Sequence, residues 1–347
     1  MRAVVTGAAG FIGSHLVERL LADGHEVVGL DDLSTGRPAN LCTVDRHPRW
    51  TFRRGSILDR DLVDRLVAGA DAVFHLAAAV GAFVIQGRTL DSLRTNIHGT
   101  EHVIEAACRH RARLLVTSTS EVYGKNTAIG LAEGDDRVLG SPLKSRWSYA
   151  EAKAVDETLT HAYVRERGLW AVIVRPFNTV GPRQTGRYGM VIPRFVGQAL
   201  AGEPLTVFGT GEQVRCFCHV ADVVPALAAL IGADAALGRA VNLGSSEQVS
   251  IGELARRVRA ITGSSSEITH QSYEQAYGDG YEDMQRRVPD CALAKELVGF
   301  RASRDLDAIL RSVIADQTAA RSSDGSTAES TAKPTAVRTP LPTPLTA

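Results

Sequence analysis

Three glycines at every third position, in Thr6-Gly7-Ala8-Ala9-Gly10-Phe11-Ile12-Gly13, separate the apolar run Ala3-Val4-Val5 from a helical pattern over Ile12 to Ala22. A glycine-rich turn between a strand and a helix lets the backbone approach a pyrophosphate. The helix N-terminus then offers unpaired N–H donors and positive dipole. The next apolar run, Glu26 to Leu30, ends at Asp31-Asp32. An acid at that point accepts both hydroxyls of an adenosine ribose and repels a 2′-phosphate. Gly7, Gly10, Phe11, Ile12, Gly13, Asp31 and Asp32 are therefore candidate cofactor contacts, and NAD is expected over NADP, with Arg37 nearby as the one countervailing charge.

The rhythm continues beyond that unit. Ala72 to Leu76, Leu114 to Val116 and Ala171 to Val174 read as buried strands, and Asp91 to Cys108 and Tyr149 to Arg165 as helices. Alternation of this kind predicts an α/β fold, a Rossmann-type doubly wound parallel sheet, with a smaller C-terminal substrate-binding lobe. The expected division is a dinucleotide domain over 1–176, rejoined by 220–245, and a substrate lobe over 177–219 and 246–317. Ser250 to Glu253 fits a capping box, and 318–347, rich in Ser, Thr, Ala and Pro, is expected to be disordered. Balanced charge, with 39 basic and 39 acidic residues, argues against a nucleic-acid binder. No leader or membrane-length apolar run is visible, so a cytoplasmic protein is the expectation. Five scattered cysteines carry no metal-ligand spacing and read as reduced thiols, with no metal expected.

Tyr149 and Lys153 stand at i and i+4, on one helix face. A tyrosine of ordinary pKa about 10 acts as a base only when a nearby cation stabilises its phenolate, and Lys153 supplies one. Thr117 to Gly124 follow the fifth strand, so their hydroxyls fall at the carboxyl end of the sheet, where open α/β folds bind ligands.

These residues resemble the extended short-chain dehydrogenase/reductase superfamily, in particular its NAD-dependent nucleotide-sugar epimerases, decarboxylases and dehydratases. Also carrying the likeness are His75-Leu76-Ala77-Ala78, Asn96, Arg175 to Gln184, Phe208 to Arg215 and Arg286 to Asp290. The resemblance implies that Tyr149 removes a proton from a sugar hydroxyl, that Lys153 holds the nicotinamide ribose, and that Thr119 shares the proton. It adds Leu76, Ala77 and Asn96 to the cofactor contacts. Asn178, Arg215 and Arg287 are implied for the nucleotide diphosphate, and Asp290 for the nucleoside ribose. It also implies a homodimer through the helices 91–108 and 149–165.

Ser120-Glu121 replaces the Asp-Glu pair of the 4,6-dehydratases, which argues against dehydration. Thr119 to Gly124 resembles the UDP-glucuronate decarboxylases, as do Asn178-Thr179 and Gly280 to Arg287. Arg183 is a candidate for a sugar carboxylate. Ser56 and Val80 depart from the epimerases of neutral sugars. The reading is a UDP-sugar 4-epimerase of the UDP-glucuronate or UDP-glucose type, working through a 4-keto sugar with NAD recycled. The alternative is a UDP-glucuronate decarboxylase, with a dehydratase or a non-catalytic NAD sensor behind it.

Overall fold

A computed structural model describes residues 1–81, 85, 87–187, 189–277 and 282–327. Gly280, Tyr281 and the tail 328–347 lie outside the described residues.

Seven parallel strands make the central sheet: β1 (Arg2–Thr6), β2 (Glu26–Asp31), β3 (Trp50–Arg54), β4 (Ala72–His75), β5 (Arg113–Thr117), β6 (Ala171–Pro176) and β11 (Ala240–Leu243). Their spatial order is β11-β6-β5-β4-β1-β2-β3. Strands buried on both faces need continuous apolar runs, and β1, β2, β4, β5 and β6 have them. The edge strand β3, Trp-Thr-Phe-Arg-Arg, ends exposed, so its pattern escapes a reading that looks for such runs. The helices α1 (Phe11–Ala22), α2 (Arg60–Val67), α3 (Thr89–His110) and α4 (Ser148–Arg167) connect these strands. One apolar core lies on each sheet face: Leu16, Val17 and Leu20 of α1 pack on one, Val103, Ile104 and Ala107 of α3 on the other.

After Pro176 the chain leaves the sheet. Short pairs β7 (Thr179–Val180), β8 (Leu205–Phe208), β9 (Val214–Cys216) and β10 (Cys218–His219) alternate with α5 (Val191–Ala201). The segment 220–245 then returns to the sheet as α6 (Val220–Leu230) and β11, which aligns Ala240 with Ile173 and Leu243 with Pro176. Beyond it come β12 (Gln248–Ser250), α7 (Ile251–Thr262), β13 (Ile268–Gln271), α8 (Tyr273–Tyr277), β14 (Arg286–Arg287), α9 (Ala292–Val298) and α10 (Leu306–Thr327). Ser250 Oγ accepts the Glu253 N–H at 3.1 Å, which caps α7.

The expected start of disorder at 318 is corrected: α10 runs on to Thr327. Its first turns bury Leu306, Ile309, Leu310 and Val313 in the core of the second lobe. That packing nucleates a helix whose later turns propagate at little cost. Gln317 Nε2 and Arg321 Nη2 then donate to the Pro193 and Gly197 carbonyls of α5. All five cysteines are free thiols. No helix among the described residues is long and apolar enough to cross a membrane.

Candidate active site

Two cavities meet at Tyr149. The larger, about 880 Å³, runs along the carboxyl end of the sheet, and the smaller, about 260 Å³, lies under the second lobe. Tyr149, Val80 and Met190 line both.

Gly7, Gly10, Phe11, Ile12, Gly13, Asp31, Asp32, Leu76 and Ala77 all line the larger cleft. A Cβ on Gly13 would stand 2.0 Å from the Gly7 carbonyl oxygen, and one on Gly7 2.8 Å from the Ala77 nitrogen. Gly7 also has φ +72°, which disfavours any side chain. Asp31 is buried, with Oδ2 accepting from the Ala9 N–H at 3.0 Å and Oδ1 from the Leu33 N–H at 2.8 Å. Burial raises its pKa, and these two N–H groups oppose the shift. Such a cradle fits a dinucleotide pyrophosphate at the helix N-terminus and a ribose at Asp31.

Asn96 is placed differently from the expectation. It is fully buried and lines neither cavity. Its side chain accepts from the Ala79 N–H at 2.8 Å and donates to the Ala79 carbonyl at 3.1 Å. It braces the loop that walls the cleft.

Tyr149 and Lys153 share the inner face of α4, and both are buried, with Lys153 only 1% exposed. Burial, then the charges of Glu121 and Asp156, raise the Tyr149 pKa, and Arg287 opposes them. A bound cation is needed to make this phenol a base at neutral pH. Lys153 Nζ donates to Asp156 Oδ2 at 3.0 Å. Thr119 lines the larger cleft, its Oγ1 accepting from the Glu121 N–H at 3.2 Å. Ser120 is buried and lines neither cavity.

The smaller cavity is built from charged side chains. Glu121 accepts from Arg146 Nη1 at 2.6 Å and lies 3.5 Å from Arg287 Nη1. Burial alone would raise its pKa, but Arg146, Arg287 and Arg215 together hold it below the usual carboxylate range. Burial, partly offset by Glu121, lowers Arg287 to about 10, so its guanidinium stays charged at neutral pH. Arg287 also donates to Asn178 Oδ1, whose Nδ2 donates to the Cys216 carbonyl at 2.7 Å. Asn178 is held at φ +35°, a conformation asparagine tolerates better than most residues. Arg215 Nη2 reaches Asp283 Oδ2 at 2.8 Å, and the Tyr273 hydroxyl donates to the same oxygen at 3.2 Å. Counting Arg194, the lining holds four arginines against Glu121 and Asp283, an excess that suits a dianionic diphosphate.

Arg183 and Asp290 lie outside this cavity. Arg183 Nη2 pairs with Glu18 at 2.5 Å and Nη1 donates to Ser14 at 3.2 Å, so it is tied to α1 and lines the larger cleft. Asp290 is exposed, and its Oδ1 accepts from the Ala292 N–H at 2.8 Å, closing the turn into α9. Sequence reasoning missed Arg146, Arg194 and Tyr273, and took Asp283 only as part of the Gly280 to Arg287 run, with no role. Only Arg146 left a local signal, three residues ahead of Tyr149 where α4 begins.

The NAD dependent epimerase/dehydratase family matches residues 3–244. A UDP-N-acetyl-alpha-D-glucosaminuronate decarboxylase of Bacillus cytotoxicus is 39% identical, over 90% of this chain and 96% of that protein. UDP-glucuronic acid decarboxylase 1 of Xenopus tropicalis is 37% identical, over 90% of this chain and 71% of that protein. Among solved structures, the UDP-glucuronic acid 4-epimerase of Bacillus cereus, in complex with UDP-glucuronic acid and NAD, superposes with a TM-score of 0.82. It is 29% identical, covering 92% of this chain and all of that one. With a sheet, a glycine cradle and a Tyr/Lys helix arranged in this way, the chain belongs to the NAD-dependent epimerase/dehydratase family, and its cofactor is NAD.

Proposed function

We propose that the protein is a UDP-hexuronate decarboxylase of the UDP-glucuronate class. The observation that carries this reading is Glu121, an ionised carboxylate held between Arg146 and Arg287 beside Tyr149 in the smaller cavity. Bound NAD supplies the acceptor, and later the donor, of the C4 hydride. Tyr149, as phenolate, takes the C4 hydroxyl proton as C4 becomes a ketone, and Thr119 shares that proton. The C5 carboxylate is then β to a ketone. Its carbon–carbon bond breaks to release CO₂, the electron pair passes into an enolate, and C5 takes a proton. Reduction of the C4 ketone, with Tyr149 returning its proton, completes the cycle. Arg287 stabilises the developing enolate charge, and Glu121 holds both arginines in place. Arg215 and Asn178 hold the diphosphate.

Relatives at 39% and 37% identity are decarboxylases of UDP-uronates, which supports this reading over the 4-epimerisation that the sequence first suggested. Epimerisation stands second, favoured by the likeness to the UDP-glucuronic acid 4-epimerase fold. One incubation separates them. Purified protein is given NAD with UDP-glucuronic acid, or with its 2-acetamido counterpart, and products are read by mass spectrometry and NMR. Loss of CO₂ establishes decarboxylation, whereas an isomer of unchanged mass overturns it in favour of epimerisation. A homodimer through α3 and α4 is proposed as well, on the exposed Leu90 and Val155 that these helices carry, and sedimentation checks it.

A further inference from the structure

Beneath the junction of the cavities, five buried side chains form one continuous chain of hydrogen bonds. The Ala77 N–H donates to Thr6 Oγ1 at 3.2 Å. Thr6 Oγ1 lies 2.7 Å from His75 Nδ1, and His75 Nε2 lies 3.0 Å from Thr100 Oγ1. Thr100 Oγ1 donates to Asp156 Oδ2 at 3.2 Å, and Lys153 Nζ donates to the same oxygen at 3.0 Å. Thr6, His75, Thr100, Lys153 and Asp156 are each at most 1% exposed.

Donor logic gives this chain a direction. A neutral imidazole has one N–H and one acceptor nitrogen, and burial followed by the Lys153 charge pushes His75 down to about 3. Thr100 gives its hydroxyl proton to Asp156, so it accepts from His75 Nε2. His75 Nδ1 then accepts the Thr6 hydroxyl proton, leaving the Thr6 oxygen free to accept from Ala77. Every link donates toward Asp156. The chain converges on the Asp156 carboxyl, whose pKa burial raises while the Lys153 charge and the Lys153 and Thr100 hydrogen bonds oppose that shift.

We infer that Asp156 is the positioning residue that holds Lys153 Nζ in place, and that Thr100 and His75 hold Asp156 in turn. This rests on the reading of Tyr149 and Lys153 as the acid–base pair. Burial removes Lys153 from water, and Asp156 is the carboxyl that accepts its hydrogen bond instead. A lysine has three donors, so those not spent on Asp156 remain for ribose hydroxyls. Because the chain begins at Ala77, in the wall of the dinucleotide cleft, the position of the lysine is tied to the loop that the cofactor touches. The other charges facing these groups are Glu121 and Arg287 on Tyr149, and Glu157 on Asp156.

The test reads turnover and NAD affinity in folded variants, checked by circular dichroism. In Asp156→Asn kcat falls about tenfold and NAD binds severalfold more weakly. Asp156→Glu restores most of both, which a merely structural loss would not allow. Thr100→Val keeps Lys153 and Asp156 in place and moves both the same way by less. Unchanged kcat and NAD affinity in folded Asp156→Asn overturn the inference. Should that variant not fold, Thr100→Val decides by the same readouts. Normal turnover by Tyr149→Phe would instead sink the acid–base reading itself, so the two failures are distinguishable.

Discussion

The two cavities that meet at Tyr149 are made of different materials. The dinucleotide cleft is framed at its phosphate end by backbone and shape: glycines whose Cβ atoms would collide with neighbouring main chain and N–H groups at a helix end, with the acids Asp31 and Asp32 beside them. The polar side of the smaller cavity is made of side chains brought in from five stretches of sequence, with Glu121, Arg146, Asn178, Arg215, Asp283 and Arg287 pairing across them. The first binds by geometry that cannot be changed by rotamer. The second binds and reacts through groups whose charge and orientation can be tuned. A cofactor common to a whole family and a substrate particular to one branch call for that division.

Substitutions break or sharpen the contrast in a definite order. Tyr149→Phe sits at the junction and has the largest effect, a loss of about 10²–10⁴-fold in turnover with NAD affinity retained, measured by product formation and cofactor titration. Glu121→Gln acts on the sugar side alone. It takes from Arg287 and Arg146 the carboxylate they share, and turnover drops about 100-fold while the NAD Kd stays within about twofold. An equal loss of NAD affinity in that variant would erase the distinction between the cavities. Gly13→Ala acts on the cofactor side alone, because its Cβ would meet the Gly7 oxygen. It weakens NAD binding and costs about 1–3 kcal/mol in chemical denaturation.

Acid tests the scaffold common to both cavities. His75 is held at about 3 by burial, below its unfolded value of about 6.5. The unfolded chain therefore binds the extra proton first, and stability falls as pH drops from about 6.5 towards 3, on the order of 1 kcal/mol per unit from this group. His75→Gln flattens that part of the curve in urea titrations. Asp290→Ala has the smallest effect. It removes the turn that leads into α9, costing about 0.5–1 kcal/mol, with turnover unchanged.

How much of this was legible follows from range. The glycine turn, Asp31 and the Tyr149/Lys153 pair are local patterns, and the strand–helix rhythm predicts five strands and three helices around them without reference to anything distant. Arg183 and Asp290 could not be oriented from sequence because loop residues carry no periodicity to aim them. Arg183 turned towards α1 because Glu18 and Ser14 were there to receive it. Tyr273 left no signal and Asp283 no role, since their meaning lies in Arg215, which β9 delivers from far along the chain. The buried chain from Ala77 to Asp156 was hidden for the same reason. Each member reads alone as an ordinary core polar residue.

The late return of β11 has a bearing on how the protein is made. A ribosome releases β1 to β6 first, then the whole excursion through β7 to β10, and only afterwards the strand that pairs with β6. Until then the nascent sheet presents β6 as an open edge, its Ile173 and Val174 ready to pair with any extended segment. The excursion is thus synthesised during an interval of exposure to mispairing, and the speed of elongation through it sets how long a chaperone must stand guard.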